Sequence, residues 1–211
     1  ATQGKIDFFQ TPKFVRIARY GKKIQMNEGV CPAYSDCRIG LSPDRFILSY
    51  CDRALGITSA EEQPVLPKGN NLSLHLLEFF TSQVAKVGMT DGIRQVLQEE
   101  SDALRAYYEQ AGILIARPAG GTSCRLAISA KGGTNAENHN HNDVGSFIIA
   151  GEEGQLIADF GSGEYTHEYF NEGRYDYLCN SSRGHNVPII DGKYQSAGQR
   201  FKGQVIWNGA G

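Results

Sequence analysis

Asn138-His139-Asn140-His141-Asn142-Asp143 stands directly before an apolar run, Val144-Gly145-Ser146-Phe147-Ile148-Ile149-Ala150. In an extended chain, residues two apart point the same way, so His139 and His141 project to one side and Asn140 and Asn142 to the other. Two imidazoles on one face suit a transition-metal site, or one metal ligand beside one catalytic base. A polar surface loop is the plainer alternative. The next apolar run, Gln155-Leu156-Ile157-Ala158, ends on Asp159 and enters Phe160-Gly161-Ser162-Gly163. An aspartate in that place is also an ordinary turn cap. His185 lies in Ser181-Ser182-Arg183-Gly184-His185-Asn186, ahead of Val187-Pro188-Ile189-Ile190. Two histidines and one carboxylate at three strand ends make a Zn²⁺ set, because zinc accepts imidazole nitrogen and carboxylate oxygen at about 2 Å.

Register limits that reading. If Gly151-Glu152-Glu153-Gly154 is a tight turn, Ala150 faces Gln155 and Ser146 faces Asp159. His141 then lies roughly 17 Å beyond Ser146 along a straight strand at ~3.4 Å per residue. A flat hairpin cannot bring His141 to Asp159, so the H-x-H segment must fold back as a loop or bulge.

Around this stretch the chain reads as β-structure. Ile113-Leu114-Ile115, Arg125-Leu126-Ala127-Ile128, Ser146–Ile149, Gln155–Ala158 and Asn186–Ile190 are short apolar or alternating runs. Phe201-Lys202-Gly203-Gln204-Val205-Ile206-Trp207 is a further strand candidate. Gly120-Gly121, Gly132-Gly133, Gly151–Gly154 and Asp191-Gly192 separate the runs. Short strands with frequent turn signals predict an antiparallel sandwich or barrel.

The first hundred residues read as helices. Thr11-Pro12 is an N-cap followed by proline at the first helical position, with an apolar stripe Phe14, Val15, Ile17, Ala18 ending at Gly21. Ser42-Pro43 repeats the start signal. Phe46, Ile47, Tyr50, Cys51 and Ala54 follow at helical spacing, with Gly56 as the stop. Residues 72–83 predict a further helix in which His75 is a packed residue, and Thr90-Asp91 starts one carrying Ile93, Val96 and Leu97. Between the first two helices, 26–41 is aperiodic and contains Tyr34-Ser35-Asp36. Lys13, Arg16, Arg19, Lys22 and Lys23 form either a solvated helix face or the lining of a groove for an anionic chain. The expected domains are 1–105, helical, and 106–211, β.

Composition bounds the partners. The 211 residues carry a net charge of −2, so any site for an acidic polymer must be a local basic groove. There is no basic, aromatic-interleaved nucleic-acid surface and no run approaching the ~18 apolar residues of a membrane span. An H-N-H nuclease is suggested by letters alone. The five cysteines, Cys31, Cys37, Cys51, Cys124 and Cys179, include no C-x-x-C, which argues against a cysteine zinc site.

Several motifs now stand in one order: Ala111-Gly112 with Ala116-Arg117, then His139–Asp143 with Ser146-Phe147, then Ala158-Asp159-Phe160-Gly161 with Tyr165. Arg174-Tyr175, His185-Asn186, Asp191-Gly192 and Gln195 follow. Taken together, 111–195 resembles the heparinase II/III-like polysaccharide lyases, of the heparinase III and oligoalginate lyase type. Tyr34-Ser35-Asp36 is similar to the loop that joins the last helices in that family. The resemblance implies an α+β chain in which the last helices of an α/α toroid precede an antiparallel β-sandwich, truncated at both ends. It implies cleavage of a uronic-acid-containing polysaccharide, such as a glycosaminoglycan or alginate, by β-elimination, in the periplasm or after secretion. It assigns Zn²⁺ to His141, Asp159 and His185, catalysis to His139 and Tyr175, and substrate contacts to Tyr165 and Arg174. His167 is a weaker ligand candidate. The family's carboxylate-neutralising asparagine and principal tyrosine find no match in 1–105, so these 211 residues alone are expected to be inactive. Exposed helix faces and a free sheet edge are a route to a homo-oligomer. The alternative is a non-catalytic carbohydrate-binding or structural β-domain with a stabilising zinc.

Overall fold

The structure is a computed structural model that describes residues 11–58, 91–101 and 104–209. Among them are three α-helices and two antiparallel sheets, of five and two strands, an α+β chain. The chain divides into two compact units, Ala1–Lys23 with Pro43–Ala103, and Ile24–Ser42 with Leu104–Gly211. The aperiodic loop between the first two helices thus belongs with the strands.

In the helical unit, α1 (Pro12–Lys23) starts where Thr11 O accepts from Phe14 N and Val15 N, and proline in the first turn sacrifices no donor. Gly21 does not end this helix, as its type suggested. It lets the following segment approach instead, since a Cβ there would lie 2.9 Å from Leu48 Cδ2. The second helix, α2 (Arg45–Ala54), begins later than Ser42-Pro43 signalled. Its cap is Asp44, whose carboxylate accepts from Phe46 N at 2.8 Å and Ile47 N at 3.1 Å. It closes at Gly56, φ +69°, with Gly56 N donating to Arg53 O and Ile57 N to Asp52 O. That is a Schellman pair, which glycine permits at no steric cost. The third helix, α3 (Asp91–Ser101), buries Ile93 and Val96 with Val15 and Leu55. Arg19 and Lys22 both bind the buried Asp52, so two of the five basic residues on α1 have their charge met within the unit. The helix expected at 72–83, with His75, lies outside the described residues.

The β-rich unit contains β1 (Arg105–Tyr108), β2 (Ile113–Ala116), β3 (Ala127–Lys131), β4 (Gly133–Asn135), β5 (Phe147–Gly151), β6 (Gly154–Ile157) and β7 (Gly198–Gly203). The larger sheet runs β1-β2-β3-β5-β6 and the smaller pairs β4 with β7. Met26 and Tyr34, from the 24–42 segment, pack with Ala106, Ile115, Ala127, Ile148 and Ala150 into one core. Side-chain donors hold that segment to the sheet: Arg117 Nε to Gln25 O, Asn27 Nδ2 to Gly151 O and Gln155 Nε2 to Cys31 O.

The β5–β6 hairpin pairs Gly151 with Gly154 and Ala150 with Gln155, then shifts so that Ile149 meets Ile157. Leu156 is the extra residue of this bulge. Three expectations are corrected. Asn186–Ile190 forms no strand: Pro188 has no N–H for a ladder, and only an isolated bridge joins Ile190 to Lys193 around Asp191-Gly192. The third strand starts at Ala127, not Arg125, and the last covers Gly198–Gly203, not 201–207. β1 and β4 were not foreseen. Gly112 (φ +63°) turns β1 into β2, and a Cβ there would fall 2.2 Å from Gly133 N, so no side chain fits.

Candidate functional site

The segment before β5 folds back as a loop. Gly145 (φ +87°) donates to Lys131 O, Lys131 N donates to Ser146 O, and Ser146 N donates to Asp143 O. Beneath the loop, Lys131 Nζ meets Asp143 Oδ1 at 2.5 Å, with the two side chains 1% and 0% exposed. The reversal brings His141 back toward Asp159 and His185, which a straight strand could not do.

His141 and His185 lie with ring centroids 5.4 Å apart. His185 Nδ1 donates to Asp159, 2.8 Å from Oδ2 and 2.9 Å from Oδ1. Asp159 also accepts from Ser146 Oγ at 3.1 Å and, as a turn cap, from Gly161 N at 3.2 Å. His141 Nε2 donates to Asp36 Oδ1 at 2.9 Å. Burial lowers the His141 pKa, against the raising effect of the Asp36 hydrogen bond. The other nitrogens of the two rings, His141 Nδ1 and His185 Nε2, are buried without a partner.

These orphan nitrogens test the fit of a metal. Two imidazoles on one tetrahedral zinc, with Zn–N near 2.0–2.1 Å, place their ring centroids about 5.2 Å apart. The observed separation matches that, and all three ligand candidates have fully buried side chains. The two histidines therefore fit zinc in donor type and ring spacing. Among the described residues, however, no group of three or more His, Cys, Asp or Glu is already gathered as a metal cage. Asp159 faces Nδ1 of His185, so the present arrangement makes it the partner that orients the ring.

His139 is the exposed member of the pair. Its Nδ1 donates to Asp36 Oδ2 at 2.6 Å, and its side chain is 61% exposed against 7% for Asp36. One carboxylate thus receives both histidines of the motif. It also accepts from Tyr169 OH at 2.6 Å and from Arg174 Nη2 at 3.2 Å. Burial alone would raise the Asp36 carboxyl, but hydrogen bonds from Tyr169, His141 and His139, with the Arg174 charge, hold it at about 2.

Arg174, expected to meet substrate, also donates from Nε to Asn140 O and from Nη1 to Tyr169 O. Its guanidinium lies 4.7 Å from the Tyr169 ring centroid. Its donors thus hold the loop together. Tyr175 OH accepts from Asn140 Nδ2 at 3.2 Å, one residue from His139. Tyr165 is exposed and stands edge-on to the exposed Phe170, which in turn stands edge-on to His139. His167 is exposed, in contact with Asn171 and Glu168, and is not drawn to the other histidines. Asn142 N donates to Asn180 O, so Asn142 shapes the loop together with Asp143. The five cysteines are free thiols.

Sequence reasoning missed Asp36, Tyr169 and Phe170 as members of the site. Asp36 is 103 residues from His139, in a loop without periodicity, so spacing carries no trace of the pair. Comparison with protein-family models and with curated proteins found no match.

Proposed function

We propose that this chain belongs to a zinc-containing polysaccharide lyase that cleaves uronic-acid-containing polysaccharide by β-elimination. The helices would be the last of an α/α toroid and the sheets part of a β-sandwich. The observation that carries this reading is an exposed imidazole, His139, held by a buried carboxylate and standing edge-on to Phe170 of the Tyr165–Phe170 aromatic face. The order of motifs described above supports it independently.

Elimination at a uronate requires a base to take the proton on the carbon next to the carboxyl group. The electron pair of that C–H bond becomes the double bond, and the departing glycosidic oxygen takes a proton from an acid. His139 and Tyr175 are the side chains proposed for these transfers, and Tyr165 and Phe170 offer faces for a sugar ring. Arg174 keeps the carrying loop in place. Zinc, when bound through His141 and His185, would supply a cross-link between the loops, and Asp159 would join as the third ligand only by turning from His185 Nδ1, which it now orients. An acidic poly- or oligosaccharide is the proposed partner, and a periplasmic or secreted setting follows from the same reading.

The test is ultraviolet absorbance from new unsaturated uronates when the whole gene product meets heparan sulfate, alginate or hyaluronan. Growth of absorbance on one of them is expected. Saturable binding without any absorbance change would replace the proposal with a non-catalytic carbohydrate-binding domain.

A further inference from the structure

We infer that Asp36 is the positioning residue of this site, fixing His139 with its proton on Nδ1 and its Nε2 lone pair on the exposed ring. The inference rests on the proposed role of His139 as a proton acceptor and adds the residue that prepares it.

The geometry divides the carboxylate into two tasks. Oδ1 accepts from Tyr169 OH, His141 Nε2 and Arg174 Nη2, at 2.6, 2.9 and 3.2 Å. These donors come from two places in the chain, the H-x-H loop and the 169–174 segment, and hold the carboxylate in one orientation. Oδ2 faces His139 Nδ1 at 2.6 Å. An ionised carboxylate only accepts, so a neutral imidazole facing it must carry its proton on Nδ1. The lone pair is then on Nε2, where a general base needs it. A carboxylate that holds an imidazole in one tautomer and orientation is the device by which hydrolytic triads prepare their base.

Left-handed backbone lies on both sides of this contact. Three non-glycine residues among those described have left-handed φ: Ser35 at +52°, His139 at +55° and Asp191 at +54°. Two of the three are the residue before Asp36 and His139 itself. Such a conformation is less favourable for a residue with a Cβ and persists where surrounding contacts hold it. All three lie in turns, Ser35 in the Tyr34–Cys37 turn, His139 in the Asn138-His139 turn and Asp191 in the Asp191-Gly192 turn.

The experiment is nitrogen NMR of the whole protein with isotope-labelled histidine, at fixed zinc loading, with His139→Gln used to assign the signal. In the unsubstituted protein His139 is expected as the Nδ1–H tautomer. Asp36→Asn should shift it to Nε2–H and lower kcat by about 10²–10⁴-fold, the range for a base or its orienting carboxylate, with KM little changed. His185, oriented by Asp159, should keep its own signature and so reports that the fold survives. Nε2–H at His139 in the unsubstituted protein overturns the inference without recourse to any variant. So does an Asp36→Asn protein whose tautomer and kcat are unchanged. If no substrate is turned over at all, the lyase reading fails, while the tautomer still decides what Asp36 does.

Discussion

Lys131 and Asp143 place two full charges beneath the His139–Asp143 loop with almost no exposure. Desolvation makes such a pair a poor source of net stability, but removing one partner strands the other. Lys131→Met should therefore cost about 3–5 kcal/mol in denaturant unfolding, and Lys131→Met with Asp143→Leu should recover most of it. A single variant as stable as the parent would mean the pair is not buried as described. The two histidines of the motif should also separate. His139→Ala should lower turnover and leave zinc content intact, because its nitrogen faces Asp36 and solvent. His141→Ala should lose metal and stability together, because its ring is buried against His185. Elemental analysis and melting curves on both variants check this, and equal loss of metal would mean the pair is assigned wrongly. A division between the two histidines was implied only by the family resemblance. Their shared acceptor was not, because Asp36 reaches them only through tertiary packing.

At the scale of elements, the 34–37 turn meets the glycine turn after Asp159. Ser162 N donates to Cys37 O at 3.0 Å, and a Cβ on Gly161 (φ +63°) would lie 2.4 Å from that same oxygen. Gly161→Ala should therefore push the Asp36 loop away from the histidines and lower turnover. Circular dichroism should show the sheet retained, since Gly161 lies outside every strand. Full activity in that variant would show that the loop does not need this close approach. The sequence disclosed most strands because short apolar runs bounded by turn residues survive in β2, β5 and β6. It concealed β1, whose Arg105-Ala106-Tyr107-Tyr108 has no such pattern, and β4, which is three residues ending a glycine pair. It misled at Asn186–Ile190, where the apolar residues looked like a strand. There, Asn186 Nδ2 instead bridges Phe147 O and Ala158 O, joining the entrance of β5 to the exit of β6.

For the whole molecule, zinc bound only by the folded state should stabilise it, by about 2.7 kcal/mol at a hundredfold excess over Kd. Chelation should then lower Tm, and zinc should restore it; a Tm indifferent to both would argue against the metal set. No helix among the described residues is long and apolar enough to cross a membrane. The measurement that reaches the central claim most directly is the mass of the products formed from a uronate oligosaccharide by the whole gene product. Elimination adds no water, so one fragment should be lighter by one water than its hydrolytic counterpart and should carry a carbon–carbon double bond. Two fragments that together contain an added water, with no unsaturated sugar, would contradict the account and make the protein a hydrolase.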